Sequence, residues 1–187
     1  MNIYTVDLYE RYGIPRNGAN GGYLTSYIRV ESAEIKKRVR PSVLIIPGGG
    51  YQILSDREAE PIAVKFLNSG FCAFVLSYSL QAKYPAPLKE AMLAMRFIID
   101  NAEKYSADKD KVCVVGFSAG GHLAGLLATL TQEESVIFGK EVKSVRPDAV
   151  LLAYPVVTMN KFTHCGSRDT ITVSYTHLRA HETGAYL

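Results

Sequence analysis

Four apolar residues, Val112 to Val115 (VCVV), run without a spacer into Gly116-Phe117-Ser118-Ala119-Gly120, and a stretch rich in helix formers, Ala119 to Thr129 (AGGHLAGLLAT), follows at once. A buried strand that passes directly into a helix leaves room for one sharp bend, and the G-x-S-x-G spacing puts a serine on it. Glycine suits positions 116 and 120 because strand and helix pass closely there and a side chain would crowd the serine. It also tolerates the strained backbone that such a bend imposes. The expected result is a hydroxyl, that of Ser118, standing exposed above the end of a sheet.

Three other apolar runs share this character: Val43 to Ile46 (VLII), Cys72 to Leu76 (CAFVL) and Ala149 to Ala153 (AVLLA). They lack polar alternation, so they read as parallel strands covered by helices on both faces. Leu88, Ala91, Met92, Met95, Ile98, Ile99 and Ala102 recur at three and four residues, which gives one apolar face on a long helix. A shorter helix is expected over Pro61 to Asn68, with Pro61 in its first turn and Gly70 placed to end it. Tyr23 to Val30 alternates well enough for a half-exposed antiparallel strand near one side of the sheet, after an Asn- and Gly-rich turn at 17–22. The sum is an α/β fold: a mostly parallel sheet with crossover helices on both faces. Ligands on such sheets collect beyond the carboxyl ends of the strands, and Ser118 lies at one of them.

With 187 residues, 48% of them apolar, the chain can bury one substantial core, and no composition shift suggests a second domain. The net charge of +3 comes from interspersed Lys, Arg, Asp and Glu, so no basic stripe points to nucleic acid. Met1 to Glu10 has neither a basic n-region nor an apolar h-region, and no stretch reaches the length of a membrane span. A cytoplasmic location without membrane contact is the expectation. Cys72 and Cys113 fall inside apolar strand runs and Cys165 in a loop, without metal-ligand spacing, so they read as structural thiols.

Directly after Val43 to Ile46 comes Pro47-Gly48-Gly49-Gly50-Tyr51, a second loop at the carboxyl end of a neighbouring strand. Three glycines leave its backbone bare. Ester hydrolysis by a serine passes through a tetrahedral intermediate with a negatively charged oxygen, and one backbone N–H aimed at that oxygen is worth about 3 to 4 kcal/mol.

The pairing of this loop with the serine bend resembles the α/β-hydrolase superfamily, in particular bacterial acetyl esterases and acetylxylan esterases related to hormone-sensitive-lipase-like enzymes. The resemblance covers about residues 20 to 170 and includes Tyr84 to Pro87 (YPAP) before the long helix and Tyr154 to Val156 (YPV) after the last strand. Position by position it implies that Ser118 is the nucleophile, that the N–H groups of Ala119 and of Gly49 or Gly50 form the oxyanion hole, and that Tyr51 lines the acyl pocket. Many relatives have His-Gly-Gly-Gly where this chain has Pro47. Because the donors are backbone groups, that change leaves the chemistry possible. The implied activity is a carboxylesterase acting on a small-molecule ester, such as an acetylated sugar or xylan fragment, through an acyl-enzyme, with no cofactor and no metal. Nothing in the sequence bears on the oligomeric state. A peptidase- or amidase-type hydrolase, or a non-catalytic binding protein on the same scaffold, remain alternatives.

His122 sits one turn beyond Ser118 on the same expected helix, whereas a base must approach the hydroxyl from outside the bend. His122 is therefore read as a packing and hydrogen-bonding residue, and His164 likewise. In this fold the serine is followed along the chain by an Asp or Glu and then by a His. Asp169 with His177 or His181 satisfies that order, but no strand separates them, and the assignment is rejected. Residues 173–183 (VSYTHLRAHET) read as one translated frame of a common transposase sequencing adapter. The expectation is that the authentic sequence stops near Ile171, that residues 173–187 are an assembly artefact, and that residues 1–172 are the N-terminal part of a single α/β-hydrolase domain. On that view the strand at Ala149 to Ala153 is an exposed, aggregation-prone edge. Without its acid and histidine, such a piece would lose a factor of about 10⁶ in turnover.

Overall fold

Parallel pairing of the apolar runs sets the architecture. The computed structural model describes residues 1–34, 38–130 and 145–158. In chain order they form Asn2–Asp7 (β1), Leu8–Tyr12 (α1), Tyr23–Ile28 (β2), Arg40–Ile46 (β3), Glu60–Asn68 (α2), Cys72–Ser77 (β4), Ala86–Asp100 (α3), Ala107–Phe117 (β5), Ala119–Thr129 (α4) and Ala149–Ala153 (β6). The strands make one sheet in the order β1-β2-β4-β3-β5-β6. The four strands from β4 to β6 are parallel, and β2 runs antiparallel to both of its neighbours.

Register sorts the core into two layers. Leu44 lies beside Phe74 and Val114, and Ile45 beside Val75 and Val115, so alternate residues of the central strands point to opposite faces. One face, with Leu24, Leu44, Ile46, Phe74 and Val114, packs against α3 and α4. The other, with Val43, Ile45, Ala73, Val75 and Val115, is covered by α2 through Ala63, Ile62 and Phe66. On α3 the residues Leu88, Ala91, Met92, Met95 and Ile98 are buried, the face that the spacing predicts. Gly70 ends α2 as expected: at φ 91° it turns left-handed, and its N–H reaches back to the Leu67 carbonyl at 3.1 Å.

Two features differ from the sequence reading, the extent and burial of β2 and the presence of β1 and α1, whereas the exposure of β6 agrees with it. The strand expected over Tyr23 to Val30 stops at Ile28, and Ser26, Tyr27 and Ile28 are buried rather than half-exposed. Tyr27 joins the core layer under α2 and Ile28 the layer under α3 and α4, while β1, which pairs with the outer edge of β2, and the short α1 after it have no counterpart in the sequence reading. At the far side, β6 pairs with β5 among the described residues and exposes Leu151 (56%) and Leu152 (44%). His164, Cys165, Asp169, His177, His181 and the adapter-like tail lie outside the described residues. No helix among the described residues is long and apolar enough to cross a membrane.

Candidate active site

The central strand β5 ends at Phe117, and the next residue, Ser118, adopts φ 50° and ψ −115° before α4 begins at Ala119. A non-glycine residue in this region stores about 1–3 kcal/mol of strain and persists only where its surroundings over-determine it. Here they do. The Ser118 N–H donates to the Ala153 carbonyl at 3.0 Å, and the Ser118 carbonyl accepts from His122 N–H at 3.0 Å and from Val156 N–H at 3.1 Å. Ser118 itself is half-buried, so the bend is accessible. The two motif glycines are sterically required: a Cβ on Gly116 would lie 2.3 Å from the Gly120 carbonyl oxygen, and one on Gly120 would lie 2.1 Å from that of Ile46.

The glycine loop is folded against this bend. A Cβ on Gly48 would approach the Ser118 Cβ to 3.0 Å and the Phe117 carbonyl oxygen to 2.7 Å. Gly49, Gly50 and Tyr51 follow at φ 125°, 65° and 59°, and the N–H groups of Gln52 and Ile53 both return to the Gly49 carbonyl at 3.1 Å. Two side chains hold the loop from outside. Tyr78 donates its hydroxyl to the Pro47 carbonyl at 2.8 Å, and Glu58 Oε2 accepts the Gly48 N–H at 2.7 Å. That second bond occupies the Gly48 amide. Among the described residues the N–H groups of Gly49, Gly50 and Ala119 donate to no protein acceptor. Ala119 is the first residue of α4, where unpaired amides carry partial positive charge. Of the amides named from the sequence, that of Ala119 adjoins Ser118 in the chain, and those of Gly49 and Gly50 follow directly on Gly48, the residue packed against the bend.

Tyr51 is buried, with its hydroxyl 2.9 Å from His122 Nδ1 and its ring edge-on to Tyr78. Burial lowers the His122 pKa to about 4, so the imidazole is neutral near pH 7. Engaged in this way, His122 is the hydrogen-bonding residue that its position on α4 predicts. Beyond the Tyr51 ring lies an apolar cavity of about 10 Å³, lined also by Tyr84, Leu88, Leu123 and Leu126. That volume holds about one water. Sequence reasoning missed Glu58, Tyr78 and Tyr154. Tyr154 donates its hydroxyl to Glu58 Oε1 at 2.6 Å. No local spacing marks these residues, because their partners lie on distant segments.

Residues 30–183 match the BD-FAE family. Over 138 residues the chain is 41% identical to endo-1,4-beta-xylanase B of Butyrivibrio fibrisolvens, a match spanning 71% of this chain and 22% of that protein. It is 31% identical over 122 residues to the acetylxylan esterase of Xylanibacter ruminicola, covering 64% of this chain and 23% of the relative. Among solved structures, the acetyl ester-xyloside bifunctional hydrolase of Caldicellulosiruptor lactoaceticus superposes with a TM-score of 0.76 at 34% identity, over 90% of this chain and 62% of the other. The chain thus spans less than a quarter of these two curated relatives and under two thirds of the solved one.

Proposed function

From the premise that this chain belongs to the BD-FAE family of α/β hydrolases, we propose that the protein carrying it is a serine esterase that removes small acyl groups, acetyl above all, from sugars or xylan fragments. The observation that carries the reading is the geometry at Ser118: a half-buried serine held at φ 50° on the strand-to-helix bend, with the glycine loop packed against it. The Ser118 hydroxyl attacks the ester carbonyl. The negative charge that develops on the carbonyl oxygen is met by the amides of Ala119 and of Gly49 or Gly50, the alcohol leaves, and water then releases the acyl group from Ser118. Tyr51, which follows Gly50 directly, lines the acyl pocket in this reading. The names of the acetylxylan esterase and of the acetyl ester-xyloside hydrolase support an acetylated xylan-type substrate.

Proton transfer needs a base that reaches the Ser118 hydroxyl, and a group to orient that base. His122 does not serve, since it stands one turn beyond Ser118 on α4, behind the bend, and burial lowers its pKa to about 4. The reading therefore places the base and its acid outside the described residues.

The test is covalent labelling of the full-length protein with a fluorophosphonate, alongside hydrolysis of p-nitrophenyl acetate and longer-chain esters. Labelling that disappears in Ser118→Ala, with acetate preferred over octanoate, is the expected result. Labelling that persists in Ser118→Ala would assign the nucleophile to another residue, and none in the wild type would favour a binding protein on a hydrolase scaffold.

A further inference from the structure

Glu58 lies on a short 3₁₀ turn, Asp56–Glu58, with its two carboxylate oxygens committed to two different loops. Oε2 accepts the Gly48 N–H at 2.7 Å, and Oε1 accepts the Tyr154 hydroxyl at 2.6 Å. Gly48 opens the glycine loop. Tyr154 belongs to the segment after β6 that brackets the serine on both sides, since Ala153 accepts the Ser118 N–H and Val156 donates to the Ser118 carbonyl. Tyr154 itself sits at φ 37°, a conformation that a bulky residue adopts only under constraint. Hydrogen bonding to Glu58 raises the Tyr154 pKa, which keeps its hydroxyl a donor.

We propose that Glu58 is a positioning residue: its carboxylate couples the glycine loop to the segment bracketing Ser118 and so sets the distance between the oxyanion amides and the serine hydroxyl. The inference rests on the esterase reading for its catalytic consequence, but the coupling itself is a property of the fold. Two hydrogen bonds accepted by one carboxyl group are a suitable device, because an oxyanion hole works only when its donors are fixed before the charge appears. With Gly48 occupied by Glu58, the next amides along the loop, those of Gly49 and Gly50, are the ones left for the oxyanion. Glu58 touches neither substrate nor reacting atoms in this arrangement.

The experiment compares Glu58→Ala, Glu58→Gln and Tyr154→Phe in the full-length protein, reading ester kinetics and amide hydrogen exchange together. Loss of a well-placed oxyanion donor costs about 100-fold, so Glu58→Ala should lower kcat by about that factor with KM nearly unchanged. Glu58→Gln should recover most of it, because its carbonyl still accepts the Gly48 N–H and its amide can donate to Tyr154. Tyr154→Phe should fall between them. Exchange at Gly48, and at Ser55, which bonds to the Gly48 carbonyl at 3.0 Å, should accelerate about tenfold in Glu58→Ala while β2 amides stay as they were. A Glu58→Ala enzyme that keeps its kcat and only melts earlier would overturn the proposal, and so would a Glu58→Gln enzyme as impaired as Glu58→Ala. If the wild type hydrolyses no ester, the esterase reading fails on its own. The exchange rates then still decide the coupling, and unchanged Gly48 exchange in Glu58→Ala refutes it.

Discussion

At His122 burial decides the charge. The imidazole pKa falls from the ordinary 6.5 to about 4, so between those values the unfolded chain binds a proton that the folded chain refuses. Stability at this group is full above the ordinary value and is lost as pH drops towards the folded one, by an amount on the order of 3 kcal/mol. His122→Gln should remove that acid-side loss while keeping a hydrogen-bonding partner for the Tyr51 hydroxyl. Urea unfolding at about pH 7 and about pH 4.5 measures it. A variant with the same acid sensitivity as the wild type would show that another group is responsible. The position of His122 on α4 was legible in the sequence, one turn past Ser118. Its bond to Tyr51 was not, because the two residues are 71 apart along the chain.

Among the elements, α4 packs closely at one glycine and loosely at another. Gly120 faces the backbone of β3 and of the glycine loop, where an added Cβ would meet carbonyl oxygens at 2.1 and 2.4 Å. Gly125 on the same helix meets nothing within 4 Å. Gly120→Ala should therefore force α4 away from Ile46 and Pro47 and destabilise by about 3 kcal/mol, whereas Gly125→Ala should stabilise by up to about 1 kcal/mol through helix propensity. Denaturant midpoints of the two variants test the pair, and equal midpoints would contradict the close contact. The bounds of α4, Ala119–Thr129, were readable from composition because the serine bend opens a stretch rich in alanine and leucine, its three glycines notwithstanding, that closes at Thr129. β1 and α1 left a weaker trace. β1 pairs with β2 alone and exposes most of its residues, so burial imposed little pattern on it. α1 has a start signal in Asp7, which accepts from Tyr9 and Glu10 N–H, and a stop in Gly13 at φ 62°. The five residues between them are too few to show a helical period.

Across the whole molecule, three distant segments converge on one carboxyl group. Glu90, fully buried on α3, accepts from Tyr9 Oη at 3.0 Å, from Ser79 N–H at 2.6 Å and from Ser79 Oγ at 2.5 Å. Ser79 Oγ in turn accepts from Asn20 and Gly21 N–H, so the amino-terminal segment, the end of β4 and α3 share one network. No spacing rule reveals this, since a glutamate on an amphipathic helix ordinarily faces water. Desolvation by burial raises the Glu90 pKa, although Ser79 and Tyr9 pull it down. The folded chain then holds the proton more tightly than the unfolded chain does. The stability linked to that proton is full below the ordinary value of 4.5 and is lost as pH rises through the raised folded value, the opposite sense to His122. Glu90→Gln removes the titration and costs about 1–3 kcal/mol, because its amide nitrogen cannot accept from a donor that the carboxyl group satisfied. The wild type's advantage over Glu90→Gln should accordingly be greatest near pH 4.5 and narrow towards higher pH, as read from urea unfolding at both ends. An advantage that widens with pH would mean that the three donors outweigh desolvation and that Glu90 is held as a carboxylate.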